Sequence, residues 1–260
     1  MDRRLETAIA AARAAGAVAL RHFRTDLQVE HKADASPVTI ADREAEQHAV
    51  AVLRAAFPDY GVLGEEFGED LAAGGGGRPK WIIDPIDGTK SFIRGIPFFA
   101  TLIALEEDGA ITTGAVYAPA MDDLLYAQKG QGAFDAHGPL RVSRIDTLRR
   151  SMLVFGGAGL LRSGGFWPAY ERLVDASGRQ RGYGDFFGYT FIARGQAEAM
   201  IDVDVKPWDL AALQIIIEEA GGRFTDFRGR PTAYGGSAIA SNGLVHDAIQ
   251  ALIEPPLDRP

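Results

Sequence analysis

Two aspartates three residues apart, Asp84 and Asp87, close an apolar run and stand directly before Gly88-Thr89. A strand ending in Asp-Pro-Ile-Asp-Gly-Thr delivers hard oxygen ligands to one point. It then opens a helix whose free N–H groups can hold an anion. Hard cations and a phosphate are the chemistry this pattern suits. Pro85 fixes one backbone angle and removes a donor, so the link between the carboxylates is stiff. The Ile86 carbonyl can point the same way as the acids. Two carboxylates this close repel unless a cation neutralises them. Taken alone, the pair fits equally well an Asp-rich turn bent at Gly88.

Two more segments bear on that choice. Glu65 and Glu66 follow Gly64 at a predicted strand end. If that strand neighbours the one ending at Asp84, Glu65 reaches the same ion; otherwise it is a solvated loop acid. Asp209 falls in the first turn of a helix begun by Pro207, where a negative charge also suits the helix dipole. Four carboxylates from three element ends suit Mg²⁺, which takes oxygen ligands and keeps waters for chemistry. Two such ions about 3.5–4 Å apart would clamp a phosphate and activate a water. Other catalytic templates are missing: no Gly-x-Ser-x-Gly elbow, no His-Glu-x-x-His and no phosphate-binding Gly-x-x-x-x-Gly-Lys loop. The five histidines are scattered and read as surface or structural.

The elements that must position these acids follow from periodicity and breakers. Helices are predicted over 3–24, from Thr39 to about Phe57, over 166–176, 183–195, 207–220 and 244–253, with a short one after Thr89. Thr39 and Asp42 have capping-box spacing. Strands are predicted near 27–31, 61–64, 80–84, 98–106, 112–117, 124–128, 132–134, 152–155, 197–203, 223–226 and 237–240, several joined antiparallel. Phe67 to Pro79 reads as a loop around four consecutive glycines, Gly74 to Gly77, and Pro255 to Pro260 as a tail. No repeat or strong linker divides the chain. One domain over 1–260 is expected, with most metal ligands in its 1–145 half and the specificity segment in 146–260. The mixture argues for layered α+β architecture.

Bulk composition narrows the partners. The net charge is −8, from 27 basic and 35 acidic residues, which argues against non-specific nucleic-acid binding. A phosphorylated substrate remains compatible, because bound metal reverses the sign locally. With no cysteine, disulfides and thiolate metal sites are ruled out. No apolar stretch approaches the ~20 residues that span a bilayer, so no membrane partner is expected. A cytoplasmic enzyme is the default reading.

Gly64-Glu65-Glu66, the run Trp81 to Thr89, and Pro207-Trp208-Asp209 through Gly221-Gly222 resemble, in order, the motifs of the inositol monophosphatase family. These are Mg²⁺-dependent, lithium-sensitive phosphatases, with Mn²⁺ as a conceivable substitute. The resemblance implies a layered α-β-α-β-α sandwich, usually a homodimer. It implies that Glu65, Asp84 and the Ile86 carbonyl hold one metal, that Asp84, Asp87 and Asp209 hold a second, and that Glu65 also serves a weaker third. Thr89 with Asp42 would orient or deprotonate the attacking water. Gly88 and Thr89 would bind phosphate through backbone N–H groups, and Lys32 matches a lysine near that region.

The metal motifs do not choose the phosphate ester. Inositol-specific members usually carry small residues after Gly184. This chain has Asp185 and then Phe186, Phe187 and Tyr189, which resembles the histidinol-phosphate phosphatase branch. An ammonium on the substrate wants a carboxylate such as Asp185. Asp202 stands where inositol-type members place a substrate-facing acid. Arg181 is a further candidate that could instead pair with Asp185, and the aromatics could be helix packing. A histidinol-phosphate phosphatase is therefore the leading expectation. An inositol or broader sugar monophosphatase is the alternative, and a non-catalytic regulatory member of the fold is a third.

Overall fold

Along the strand Lys80–Asp87, Trp81 and Ile83 face one way and Ile82 the other, and all three are buried. A strand apolar on both faces must be covered on both. The computed structural model, which describes residues 2–26, 28–31, 37–70 and 79–253, supplies both covers.

A two-stranded ribbon of β1 (Val29–His31) and β2 (Pro37–Thr39) precedes the first large sheet. That sheet holds β3 (Gly61–Gly64), β4 (Gly68–Asp70), β5 (Lys80–Asp87), β6 (Ala100–Glu107), β7 (Ala110–Ala118), β8 (Asp123–Gln128), β9 (Gly132–Asp135) and β10 (Gly138–Pro139). Its order is β10-β9-β8-β7-β6-β5-β3-β4. Neighbours run antiparallel except β3 and β5, which are parallel. The second sheet is formed by β11 (Met152–Phe155), β12 (Arg179–Arg181), β13 (Ala199–Val203), β14 (Arg223–Thr225) and β15 (Ser237–Ser241), in the order β12-β11-β13-β15-β14.

On the Trp81 and Ile83 face lie α1 (Arg3–His22) and α2 (Ile40–Ala56). Both present small stripes at helical spacing, Ala8, Ala12, Ala15 and Ala19 on α1 and Ala41, Ala45 and Ala49 on α2, so their backbones approach closely. Asp2 caps α1 by accepting the N–H of Arg4 at 2.7 Å. The predicted capping box at Thr39 and Asp42 is present on α2.

A short α3 (Thr89–Phe92) follows β5. Outside the second sheet lie α4 (Ala158–Ser163), α5 (Trp167–Ala176) and α8 (His246–Leu252). Leu161, Leu173 and Ile249 pack there on Leu153, Ile201 and Ile239. Between the sheets lie α6 (Asp185–Ala193) and α7 (Pro207–Glu219). On α7 every residue from Leu210 to Ile217 is buried, as a helix covered on all sides requires. The result is the α-β-α-β-α sandwich the sequence implied.

Five elements escape sequence reading: β2, β4, β10, β12 and α4 are all short, and short segments carry too few periods to register. The glycine run Gly74–Gly77 and the Pro255–Pro260 tail lie outside the described residues.

Candidate active site

Strand β5 does not stop at Asp84 but continues to Asp87. In a regular strand, residues three apart face opposite ways. Here Asp84 pairs with Leu102 and Asp87 with Ala100, so β5 advances three residues while β6 advances two. That extra residue is a β-bulge, and it falls where Pro85 has no N–H to give the ladder. The bulge reverses the parity and brings both aspartates to one side. Asp84 Oδ1 accepts the N–H of Ile86 at 3.0 Å, which fixes the bend.

Parallel pairing of β3 and β5 sets Gly64 opposite Ile83, and the Glu65 N–H donates to the Ile83 carbonyl at 3.2 Å. Glu65 is thereby carried to the same strand end as Asp84. Asp209 arrives from α7, where its Oδ2 accepts the Lys206 N–H at 2.7 Å. Oxygens of Asp84, Asp87 and Asp209 lie within 4.8 Å of one another. Glu65, Asp87, Asp185, Asp202 and Asp209 all line one cavity of about 890 Å³ between α6, β13 and the start of α7.

The electrostatics of this cluster are unfavourable without a counter-charge. Burial pushes Asp84 well above the carboxylate range, and the charges of Glu65, Asp87 and Asp209 push it further. Asp87 is raised by burial and then by Asp185 and Asp209, against the N–H of Phe186 that its Oδ2 accepts. Burial raises Asp209 to about 6 and Asp202 to about 8. Each shift has the same origin, an anion removed from water beside other anions.

Thr89 and Asp42 meet as expected. Thr89 Oγ1 donates to the Ile86 carbonyl at 2.9 Å and faces Asp42 Oδ1 at 3.4 Å. The other oxygen of Asp42 accepts the N–H and the hydroxyl of Thr39, both at 2.7 Å. Its role in the helix cap and its position beside Thr89 thus coexist, one oxygen for each. Gly88, with φ +87°, makes the turn from β5 into α3 that presents Thr89.

Asp185 opens α6 two residues later than predicted, because Gly184 is still extended and Asp185 itself has φ +55°. Asp is among the few residues that tolerate this region, and such strain concentrates at working sites. Burial raises Asp185, and Lys90 opposes that rise. Arg181 is not brought to the cavity. It ends β12 exposed, with Nη1 on the Gln180 carbonyl at 2.7 Å, and Lys90 is the cation that faces Asp185 instead. Lys32 lies outside the described residues.

Sequence reasoning passed over Lys90, Glu46 and the hydroxyl of Tyr189. Lys90 directly follows the motif. Glu46 is one helical turn beyond Asp42, an acid within the Ala41–Ala45–Ala49 stripe, and a charge on a buried face was the available signal. Its carboxylate accepts the N–H groups of Glu66 at 2.8 Å and Phe67 at 3.2 Å.

A sequence model of the inositol monophosphatase family matches residues 1–255. The chain belongs to the inositol monophosphatase family. Its members are metal-dependent phosphomonoesterases, and so is this protein. Histidinol-phosphatase of Mycobacterium tuberculosis is 42% identical over 88% of this chain and 89% of its own length. Histidinol-phosphatase of Chlorobaculum parvum is 42% identical over 98% of each chain. Inositol-1-monophosphatase of Mesorhizobium japonicum is 35% identical over 97% of each. The crystal structure of the extragenic suppressor protein SuhB from Bartonella henselae superposes with a TM-score of 0.90 at 30% identity, covering 98% of this chain and all of that one. No helix among the described residues is long and apolar enough to cross a membrane.

The donor set fits the family's metal. Asp84, Asp87 and Asp209 offer only carboxylate oxygens, crowded together, which is the environment a hard divalent ion satisfies.

Proposed function

We propose that this protein is a Mg²⁺-dependent histidinol-phosphate phosphatase, releasing inorganic phosphate and the amino alcohol histidinol. The observation that carries this is the pair Asp185 and Asp202. Both line the cavity of the metal-type triad, Asp202 is buried there, and neither belongs to that triad. A phosphate ester of a neutral polyol gives two such acids no positive partner. An ester carrying an ammonium does, and a charge-assisted hydrogen bond to carboxylate is the strong kind. The two relatives at 42% identity named as histidinol-phosphatases support the same reading.

In this proposal Asp84, Asp87 and Asp209 hold Mg²⁺, with Glu65 and the Ile86 carbonyl as further ligands. Bound Mg²⁺ supplies positive charge to the phosphate oxygens and acidity to water. Gly88 and Thr89 offer backbone N–H groups to the phosphate. Thr89 Oγ1 accepts a proton from the attacking water as its own proton passes toward Asp42 Oδ1. The water oxygen bonds to phosphorus, the P–O ester bond breaks with its electron pair going to the leaving oxygen, and that oxygen takes a proton from a solvent water in the cavity to depart as the alcohol. Homodimer formation and a cytoplasmic location complete the proposal and rest on the family resemblance. Light scattering tests the first.

The deciding experiment compares kcat/KM for histidinol phosphate and inositol 1-phosphate with Mg²⁺, in wild type and Asp185→Asn. Histidinol phosphate is expected to be preferred, and the variant to lose about tenfold or more on that substrate alone. A clear preference for inositol 1-phosphate in wild type overturns the assignment.

A further inference from the structure

Tyr189 is 2% exposed, and its hydroxyl finds no hydrogen-bond partner among the described residues. Its ring packs in the core between the two sheets with Ile192, Met200 and Leu210, where a phenylalanine would serve equally. A buried hydroxyl left unpaired costs about 1–3 kcal/mol, so the oxygen calls for a reason other than packing. Tyr189 also lines the cavity, one turn beyond Asp185 on the same face of α6. Burial, then the charges of Asp202, Asp209, Asp87 and Asp185, hold its phenol well above the ordinary value. It is thus a firmly protonated donor surrounded by acceptors.

Asp202 is the first of those neighbours and is held hard against the β11 end. A Cβ on Gly156 would lie 2.3 Å from its Oδ1, so only glycine leaves this carboxylate its place. Both residues line the same cavity, and a ligand group that engages both must give a hydrogen bond to the acid and take one from the phenol. A neutral imidazole does both, with one N–H and one bare nitrogen at fixed separation.

We propose that Tyr189 is a specificity residue whose hydroxyl donates to the bare imidazole nitrogen of the substrate while Asp202 accepts from the imidazole N–H. Asp185 is left for the ammonium. This rests on the histidinol-phosphate reading, and the test separates the two. Wild type is first assayed on histidinol phosphate and inositol 1-phosphate; a preference for the latter overturns both. Tyr189→Phe is then assayed on histidinol phosphate and on phosphoethanolamine, which has the phosphate and ammonium but no ring. The expected result is a fall of about tenfold or more in kcat/KM for histidinol phosphate, with phosphoethanolamine turnover within about twofold of wild type. Equal losses on both substrates would mean that Tyr189 supports the metal end or the fold, and no loss on either would mean that its hydroxyl is idle. Both results overturn the inference while leaving the histidinol-phosphate assignment intact. The melting temperature of the variant, read in parallel, is expected to stay within a few degrees of wild type.

Discussion

Replacing Gly64 by alanine tests how Glu65 is held beside the aspartate triad. A Cβ at position 64 would lie 1.9 Å from Glu46 Oε1 and 2.4 Å from its Cδ, whereas real Cβ contacts essentially never fall below 3.0 Å. Glu46 is 1% exposed and has little room to yield, and its carboxylate accepts both the Glu66 and the Phe67 N–H groups. Moving it breaks or stretches those two bonds. A hydrogen bond to a charged group contributes about 1.5–3 kcal/mol, and burial discounts the pair because Glu46 is itself pushed up to about 7. A loss of about 2–4 kcal/mol follows, or a melting temperature lower by about 5–12 °C for a chain of this size. The same turn carries Glu65, so the Mg²⁺ concentration for half-maximal activity should also rise, by about tenfold. Thermal unfolding in EDTA and calorimetric Mg²⁺ titration measure the two effects. Glu46→Gln removes one acceptor without the clash and should give a smaller version of both. Wild-type stability together with wild-type Mg²⁺ affinity in Gly64→Ala would refute the idea that Glu46 anchors this turn.

Two further outcomes follow from buried charge. Asp84→Asn keeps an acceptor for the Ile86 N–H but removes the most heavily crowded carboxylate, so the metal-free protein should gain about 1–2 kcal/mol while kcat falls at least about a hundredfold. A metal-free melting temperature below that of wild type would contradict the crowding argument. His246 is fully buried between Thr225 Oγ1 at 3.0 Å and Ser241 Oγ at 2.8 Å, and burial pushes it down from 6.5 to about 4. Because the native imidazole resists a proton that the unfolded chain accepts, stability is lost as pH falls from about 6.5 toward 4. From pH 7 to pH 5 the loss from this residue is about 2 kcal/mol. His246→Gln should flatten that part of the stability profile, and an unchanged slope in urea titrations at the two pH values would exclude His246 as its source.

Much of the candidate metal end was legible because its residues are adjacent in sequence or sit at element ends that breakers announce. Asp84, Asp87, Gly88 and Thr89 form one run, Asp209 is fixed by Pro207 at a helix start, and Asp42 by its cap with Thr39. The far end of the cavity was legible only in part. Asp185 and Asp202 stood out as acids, but Arg181 was a natural partner on charge and proximity in sequence. It lost that place because β12 carries it away while Lys90, nearly a hundred residues earlier, comes to face Asp185. Such pairings are set by how β5 and α6 are brought together, and no local pattern encodes them. Tyr189 was hidden for a different reason: a tyrosine in an apolar helix reads as packing, and the missing partner of its hydroxyl exists only in three dimensions.

The bulge in β5 joins these two kinds of information. Sequence spacing places Asp84 and Asp87 three apart, which in an unbroken strand would leave one in the cavity and the other in the layer beneath α1 and α2. A buried aspartate there would sit among Trp81, Ile83 and Ile103 with no counter-charge, at a cost of several kcal/mol. Pro85 removes this outcome locally, since a residue without an N–H is where a ladder yields an extra residue most cheaply. Thr101 then holds the bulge from the neighbouring strand, its hydroxyl donating to the Pro85 carbonyl at 2.8 Å. The proline between the two acids therefore does more than stiffen a turn. It sets the parity that makes a two-aspartate strand end into one side of the candidate metal site, and Thr101 on β6 makes that parity a property of the sheet.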